Sequence, residues 1–208
     1  MLFLLQLVRF IGANDKFVNE EGETNPLSCY ASTKLRAEKH VLNRGGTIFR
    51  LGTVFGMGDR FSRIRADLVV NVLTIKAFTR GEITVNGGEQ WRPIIAVRDI
   101  AGYVEEACRE KYPGIFNLAY DNVKIKDLAI DILKEFPNVK VNYIDQMFQD
   151  ERNYKVDKTK SDNTFKYRPS VSVAEEIKNI KTLLDEGRIK DPNNILYNNG
   201  LYIASKRF

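Results

Sequence analysis

The sequence NPLSCYASTKLRAEK, residues 25–39, carries the clearest structural signal in this chain. Asn25 followed by Pro26 predicts the start of a helix, because a capping side chain before a proline is favoured there. Apolar residues then recur at helical spacing until two glycines interrupt the pattern. These apolar residues are Leu27, Ala31, Leu35 and Leu42. Residues 47–55, TIFRLGTVF, are apolar enough for a buried strand. The sequence therefore predicts a helix followed by a buried strand.

The rest of the chain alternates between helical and strand patterns. Helices are predicted over 68–78, 99–112, 126–136 and 173–184, and strands over 83–85, 92–97, 115–120 and 139–144. Asn86-Gly87-Gly88 predicts a turn that pairs the strands on either side of it, and Asp99 is the predicted helix cap. We expect an apolar strand within residues 1–11 and an irregular tail from residue 190. The alternation predicts an α/β fold.

Composition excludes several classes of protein. The chain has 208 residues, of which 43% are hydrophobic and 28% charged, as in an ordinary globular protein. Its longest apolar stretch, residues 1–8, is far shorter than the ~20 residues of a membrane span and lacks the features of a secretory signal. We therefore expect a cytoplasmic protein with no membrane contact.

Charge and metal-ligand content narrow the possible partners. The net charge is +5, but the basic residues are spread among acidic ones, which suits small anionic ligands and argues against nucleic acid. Cys29 and Cys108 are expected to be small buried thiols. With His40, the single histidine, they cannot assemble a zinc site, so no metal site is predicted. His40 itself is expected to be solvated.

Tyr30 and Lys34 are the residues in this sequence with the clearest potential for chemistry. They lie four apart on the predicted helix, so both project from one face. An ammonium beside a phenol stabilises the phenolate, which lets a tyrosine exchange protons as a general acid or base. The spacing alone is weak evidence, because three other pairs share it: Tyr120 with Lys124, Tyr154 with Lys158 and Tyr202 with Lys206. Only Tyr30 begins a capped helix that a buried strand follows.

Five segments together resemble one family. Residues 25–39 are similar to the active-site helix of the extended short-chain dehydrogenase/reductase family, the NAD-dependent epimerases and dehydratases of nucleotide sugars. Residues 49–56 resemble the next core strand, 91–101 the segment whose arginine contacts the substrate diphosphate, 114–120 the final strand of the nucleotide-binding sheet, and 150–154 a late loop over the nucleotide. The resemblance extends from about Phe17 to Leu184.

The resemblance implies the C-terminal part of a Rossmann-like fold plus a small α/β substrate-binding domain. Residues 1–60 would be a remnant of the Rossmann domain, and residues 61–208 the substrate-binding region. Within that region, residues 92–120 would return to the Rossmann sheet and 190–208 would form a tail.

The resemblance also implies the site residues. Tyr30 takes a proton from a sugar hydroxyl while a hydride passes to NAD or NADP, and Lys34 also binds the nicotinamide ribose. Further cofactor contacts are expected at Thr53 and Val54. Arg92, with Arg152 and Asn71, is expected to bind the nucleotide-sugar substrate, and a guanidinium suits phosphate oxygens.

The chain departs from the family where the cofactor pyrophosphate binds. Family members begin with a strand, a glycine-rich turn and a helix, and this sequence starts after that region. Its one candidate turn, residues 56–61, has Phe61 at the third glycine position. No hydroxyl residue precedes Thr24, so the family's catalytic serine or threonine is also missing.

Two readings of function therefore stay open. The chain is either an impaired enzyme of this type, with its missing half supplied by another chain, or a non-catalytic nucleotide-sugar-binding remnant or partner subunit. A homodimer is also expected from the resemblance. The missing strands would leave an unpaired sheet edge, so we expect marginal stability in isolation.

Overall fold

The structure is a computed structural model that describes residues 2–7, 14–26, 28–58, 63–144 and 153–206. The strands are β1 (Phe3–Leu7), β2 (Asn14–Val18), β3 (Thr47–Leu51), β4 (Thr53–Phe55), β5 (Glu82–Asn86), β6 (Trp91–Ala96), β7 (Gly114–Leu118), β8 (Asp121–Lys124), β9 (Lys140–Ile144) and β10 (Tyr154–Val156). The helices are α1 (Cys29–Leu42), α2 (Val69–Arg80), α3 (Val97–Glu110), α4 (Ile125–Glu135), α5 (Thr159–Thr164), α6 (Val173–Asp185) and α7 (Asn199–Ser205), with a 3-10 turn at Ile195–Tyr197. This confirms the predicted α/β class.

A parallel sheet with strand order β1-β3-β7 forms the first layer. Successive side chains along each strand point to opposite faces of the sheet, because the side-chain period of a strand is two residues. Phe49 and Phe116, neighbours across β3 and β7, pack against Tyr103 of α3 and against Phe165. The polar residue that follows Phe49, Arg50, faces α1 on the other side. The sheet is therefore covered by α1 on one face and by α3 on the other.

A second sheet, β4-β6-β8, begins where β3 ends. Residues 47–55 had been expected to form one strand, but Gly52 divides them into β3 and β4. A side chain at Gly52 would lie 2.9 Å from the backbone carbonyl of Pro93 in β6. The chain can change sheets at this point because a glycine allows that close approach.

The predicted hairpin across residues 86–88 is wrong. β5 pairs in parallel with β9, whereas β6 pairs in parallel with β4 and antiparallel with β8. The turn residues have the expected positive φ at Gly87 and Gly88, but the two strands diverge after the turn. Helices α2, α4 and α6 cover these strands around one apolar cluster, whose largest members include Phe55, Ile83, Ile94, Leu128 and Ile132.

Two predicted helix starts are also corrected. Helix α1 begins after Ser28, whose Oγ accepts a hydrogen bond from the Ala31 amide at 3.1 Å, and not at Asn25. Helix α3 follows β6 directly with Ala96 as its cap. Asp99 lies in the first turn, where its buried carboxylate accepts hydrogen bonds from the Tyr167 hydroxyl at 2.7 Å and from the Ser170 amide at 3.1 Å. Both partners are far from Asp99 in the sequence, so the local helix pattern could not predict that its carboxylate binds them instead of capping the helix.

Cysteine burial and the C-terminal tail differ from expectation as well. Cys29 and Cys108 are both exposed, not buried. The predicted irregular tail contains the 3-10 turn and α7, and Tyr197 packs against the cluster around Ile180. Among the described helices, none combines the length and the hydropathy that a bilayer crossing requires.

Candidate active site

A cavity of about 380 Å³ opens between α2 and the strands of the second sheet. Its walls come from β4, α2, β5, β6 and β10. The lining residues include Thr53, Val54, Asp67, Val69, Val72, Leu73, Lys76, Thr84, Asn86, Gln90, Arg92 and Tyr154. The lining therefore combines an apolar helix face with a few polar and cationic side chains, as ligand sites usually do.

Three of the predicted site residues meet in this cavity. Thr53 and Val54 belong to β4, which pairs with β6 in the register Thr53 to Ile94. Arg92 lies two residues before Ile94 on β6 and is only 7% exposed. The strand pairing thus places the expected cofactor contacts beside the expected diphosphate contact.

The residue before β10, Asn153, binds the backbone next to Arg92. Arg92 Nη1 donates to the Trp91 carbonyl at 2.8 Å, and the Trp91 amide donates to Asn153 Oδ1 at 2.9 Å. Tyr154, the next residue, is 3% exposed and lines the cavity. Arg152, the other predicted diphosphate contact, lies outside the described residues.

Asn71 is not among the residues that line the cavity. It is fully buried, and its side chain holds the turn after β4: Oδ1 accepts from the Gly56 amide at 2.8 Å, and Nδ2 donates to the Gly56 carbonyl at 3.1 Å. Nδ2 also donates to the Arg65 carbonyl at 3.0 Å. Its side chain is therefore engaged with the backbone, and a substrate contact at Asn71 stays a prediction.

Tyr30 and Lys34 lie together on the first turns of α1. The Lys34 ammonium is 5.7 Å from the centroid of the Tyr30 ring, and Tyr30 is 42% exposed. The pair at Tyr202 and Lys206 has almost the same geometry, at 5.8 Å. The geometry of the pair therefore does not distinguish Tyr30 from Tyr202. Only the surroundings of Tyr30 can support a functional role.

Those surroundings connect Tyr30 to the cavity. Ala31, the residue after Tyr30, is fully buried in a cluster with Val18, Ala119 and Tyr154. Tyr154 belongs to both this cluster and the cavity lining. Tyr30 and Lys34 thus begin a helix that packs directly against a wall of the cavity, although neither side chain is itself part of the lining.

A buried ion pair anchors α1 on the sheet. Glu38 lies one helical step beyond Lys34, at the same four-residue spacing, and binds Arg50 of β3 through two hydrogen bonds of 2.7 and 2.8 Å. Gln6 of β1 donates to the same carboxylate. Arg50 also donates to the Glu20 carbonyl at 2.9 Å. These contacts fix the rotation of α1 about its axis, and hence the direction of the Tyr30 and Lys34 side chains.

The described residues fit one end of a dinucleotide cofactor better than its pyrophosphate. Tyr30 and Lys34 present a hydroxyl and an ammonium that suit a ribose. The turn at Gly56 does not suit a pyrophosphate, because its amide is bonded to Asn71 and the Glu176 carboxylate lies where a side chain at Gly56 would be, 2.6 Å away. A carboxylate there would repel a phosphate, which agrees with rejecting residues 56–61 as a dinucleotide-binding turn.

Sequence reasoning missed several lining residues. Lys76 follows Val69, Val72 and Leu73 at helical spacing, a signal that was present but indistinguishable from an ordinary helix face. Asp67 precedes the helix and binds Arg65 through hydrogen bonds of 2.6 and 2.9 Å. Burial opposes ionisation of Asp67, but the hydrogen bond and charge of Arg65 outweigh it and hold its pKa below the usual value.

The sequence matches a known protein family over most of its length. The family model of the RmlD substrate binding domain matches residues 8–182. The chain belongs to this family. The match agrees with the resemblance to extended short-chain dehydrogenases/reductases drawn from the five sequence segments.

Solved structures share the Rossmann-like fold. TunA, an NAD-dependent NDP-hexosamine 5,6-dehydratase of tunicamycin biosynthesis, is 19% identical with a TM-score of 0.77, and the alignment covers 91% of this chain and 64% of TunA. The ADP-L-glycero-D-manno-heptose-6-epimerase of Helicobacter pylori is 18% identical with a TM-score of 0.76, over 88% and 59% of the two chains.

A third structure is a ligand complex. The UDP-glucuronic acid 4-epimerase of Bacillus cereus, in complex with UDP-glucuronic acid and NAD, is 22% identical with a TM-score of 0.72, over 87% of this chain and 61% of the epimerase. The present chain therefore spans less than two thirds of the length of these three proteins. This similarity shows a shared fold. The ligands named for those enzymes are properties of those enzymes.

Proposed function

We propose that this chain binds a nucleotide sugar in the cavity and supplies the tyrosine–lysine pair of an NAD(P)-dependent epimerase or dehydratase reaction. The observation that carries the proposal is the cavity itself, which brings Thr53, Val54 and the buried Arg92 together. The family resemblance implies a substrate contact at Arg92 and cofactor contacts at Thr53 and Val54.

Arg92 would hold the diphosphate of the substrate. A guanidinium offers a planar set of donors that matches two phosphate oxygens at once. Burial of Arg92 strengthens this attraction, because charges interact more strongly where water is largely excluded. The apolar face of α2 and the Thr84 and Asn86 side chains of β5 leave room beside it for the rest of the nucleotide.

Tyr30 would exchange the proton of the reacting sugar hydroxyl, with Lys34 stabilising the phenolate. NAD or NADP, when bound, would supply the hydride acceptor. The exposure of Tyr30 leaves its hydroxyl accessible to a ligand, and the anchoring of α1 through Glu38 and Arg50 holds the pair in place. A positioned general base of this kind contributes roughly 10²–10⁴ in rate.

A second candidate function is nucleotide-sugar binding without catalysis. It is favoured by the turn at Gly56, which is occupied by Asn71 and Glu176, and by the absence of another glycine-rich strand-to-helix turn within the described residues. In that case the chain would be a binding remnant, or a partner subunit that works with a second chain. A cytoplasmic location stays a prediction from sequence.

The test uses the full 208-residue chain with NAD or NADP and a panel of UDP-glucose, UDP-glucuronic acid and dTDP-glucose. Conversion is followed by proton NMR of the sugar signals and by the absorbance of reduced nicotinamide. We expect slow conversion that falls about 100-fold or more in Tyr30→Phe and persists in the matched control Tyr202→Phe. Binding without conversion would select the second candidate, and conversion that survives Tyr30→Phe would contradict the assigned role.

A further inference from the structure

One face of α2 forms a continuous wall of the cavity. Val69, Val72, Leu73 and Lys76 all line it, at the i, i+3, i+4 and i+7 positions of one helical stripe. Three of these residues are apolar, and the fourth is a lysine in a position where the pattern would place another apolar side chain. The ammonium of Lys76 thus belongs to the same cavity as Arg92.

Lys76 has no anionic partner in the described part of the chain. The carboxylate that also lines the cavity, Asp67, is engaged by Arg65 through two hydrogen bonds. Arg92 from β6 and Lys76 from α2 therefore line the cavity from different walls, and the one acidic side chain in its described lining is already paired with Arg65. The ammonium of Lys76 adds positive charge to a second wall of the cavity, which favours a ligand with more than one negative charge.

We infer that Lys76 is a second phosphate-binding residue that makes this cavity selective for nucleoside diphosphates over nucleosides. The inference rests on the proposed binding of nucleotide sugars and adds a residue to that site. The ammonium would bind one phosphate group as a point charge, whereas the Arg92 guanidinium would bind through paired hydrogen bonds. A neutral nucleoside would gain nothing from Lys76.

The competing explanation is that Lys76 covers apolar surface with its stem and holds its ammonium in bulk water, as lysines commonly do. That explanation predicts the same stability and fold, but no contribution of Lys76 to the affinity for diphosphates, because Arg92 alone would then supply the phosphate contact. The two accounts therefore differ in one measurable quantity, the part of the affinity gained from phosphates that depends on Lys76.

Isothermal titration calorimetry of the full chain measures that quantity. UDP, dTDP, ADP and GDP are titrated in magnesium-free buffer at low salt, and the tightest is compared with its parent nucleoside. The variant is Lys76→Met, which keeps the length of the stem and removes the charge. The matched control is Arg80→Gln, which removes an exposed positive charge one turn further along the same helix.

We expect Lys76→Met to weaken diphosphate binding about tenfold or more, to leave nucleoside binding unchanged, and to reduce the salt dependence of the diphosphate affinity. Arg80→Gln should change neither. Equal diphosphate affinity in wild type and Lys76→Met would overturn the role of Lys76 while leaving the proposed function intact. A wild-type chain that binds none of the four diphosphates would overturn both.

Discussion

Buried charge at Glu38 and Arg50 sets the position of the two residues proposed for catalysis. Both side chains are about 95% buried, with 6% and 5% of their surface exposed, and they are joined by two hydrogen bonds. A buried pair of this kind gives little net stability over apolar residues, but removing one partner leaves the other charge uncompensated. The pair therefore specifies how α1 sits on the sheet.

A substitution at Glu38 tests whether the buried ion pair holds α1 on the sheet. We expect Glu38→Gln to lower the free energy of unfolding by about 3 kcal/mol, because Arg50 stays buried without a carboxylate. Urea denaturation followed by circular dichroism measures the change. Glu105→Gln is the matched control, because Glu105 pairs with Arg109 at the surface and should behave like wild type. Equal unfolding curves for the two variants would show that the buried pair has no structural role.

Candidate site residues could be picked out from the sequence where their signal lay in a short motif. Tyr30, Lys34 and Arg92 are singled out with the segments that contain them, and the structure brings Arg92 into one cavity with Thr53 and Val54. Lys76 and Asp99 were not predictable in this way. The partners that define them, the cavity wall for Lys76 and the segment around Tyr167 for Asp99, are far away in sequence.

At the level of elements, β1 forms one open edge of the first sheet. It pairs with β3 on one side, and no strand lies on its other side among the described residues. Leu5 of β1 is 42% exposed, so an apolar face accompanies the open edge. Such an edge is a template for pairing with another chain, which fits the expectation that a second chain supplies the missing half.

A charge at Leu5 should suppress this pairing. We expect Leu5→Lys to reduce concentration-dependent self-association of the isolated chain, because a charged side chain on an edge strand blocks a second strand. Size-exclusion chromatography with light scattering, over a range of concentrations, measures the effect. Ile130→Lys alters another exposed apolar residue, on α4, and should leave association unchanged. Association that responds equally to both variants would point to general hydrophobicity instead of the edge.

Element types were predicted more accurately than their pairing. Most helices and strands were found from periodicity, because that pattern is local. The hairpin at residues 86–88 failed because β5 and β6 find partners in β9, β4 and β8, which a turn sequence does not encode. The single strand at residues 47–55 failed for the same reason, since the close approach of Pro93 decides where it breaks.

Across the whole molecule, the helix that carries Tyr30 and Lys34 is anchored beside a cavity lined by Arg92 and Lys76. Ala31 and Tyr154 connect the two through a shared apolar cluster, so the arrangement depends on contacts between β10, α1 and the second sheet. The predicted domain division at residue 60 stays a prediction. The central claim is that the cavity holds the diphosphate of a nucleotide sugar at Arg92.

Phosphorus NMR of nucleotide sugars mixed with the full chain tests that claim most directly, because it observes the diphosphate itself. Wild type and Arg92→Met are compared with UDP-glucose, UDP-glucuronic acid and dTDP-glucose, after circular dichroism has shown that the variant is folded. We expect saturable broadening or shift of both diphosphate signals in wild type for at least one ligand, and the loss of this effect in Arg92→Met. Unchanged signals in wild type with every ligand, or equal changes in the variant, would contradict that claim.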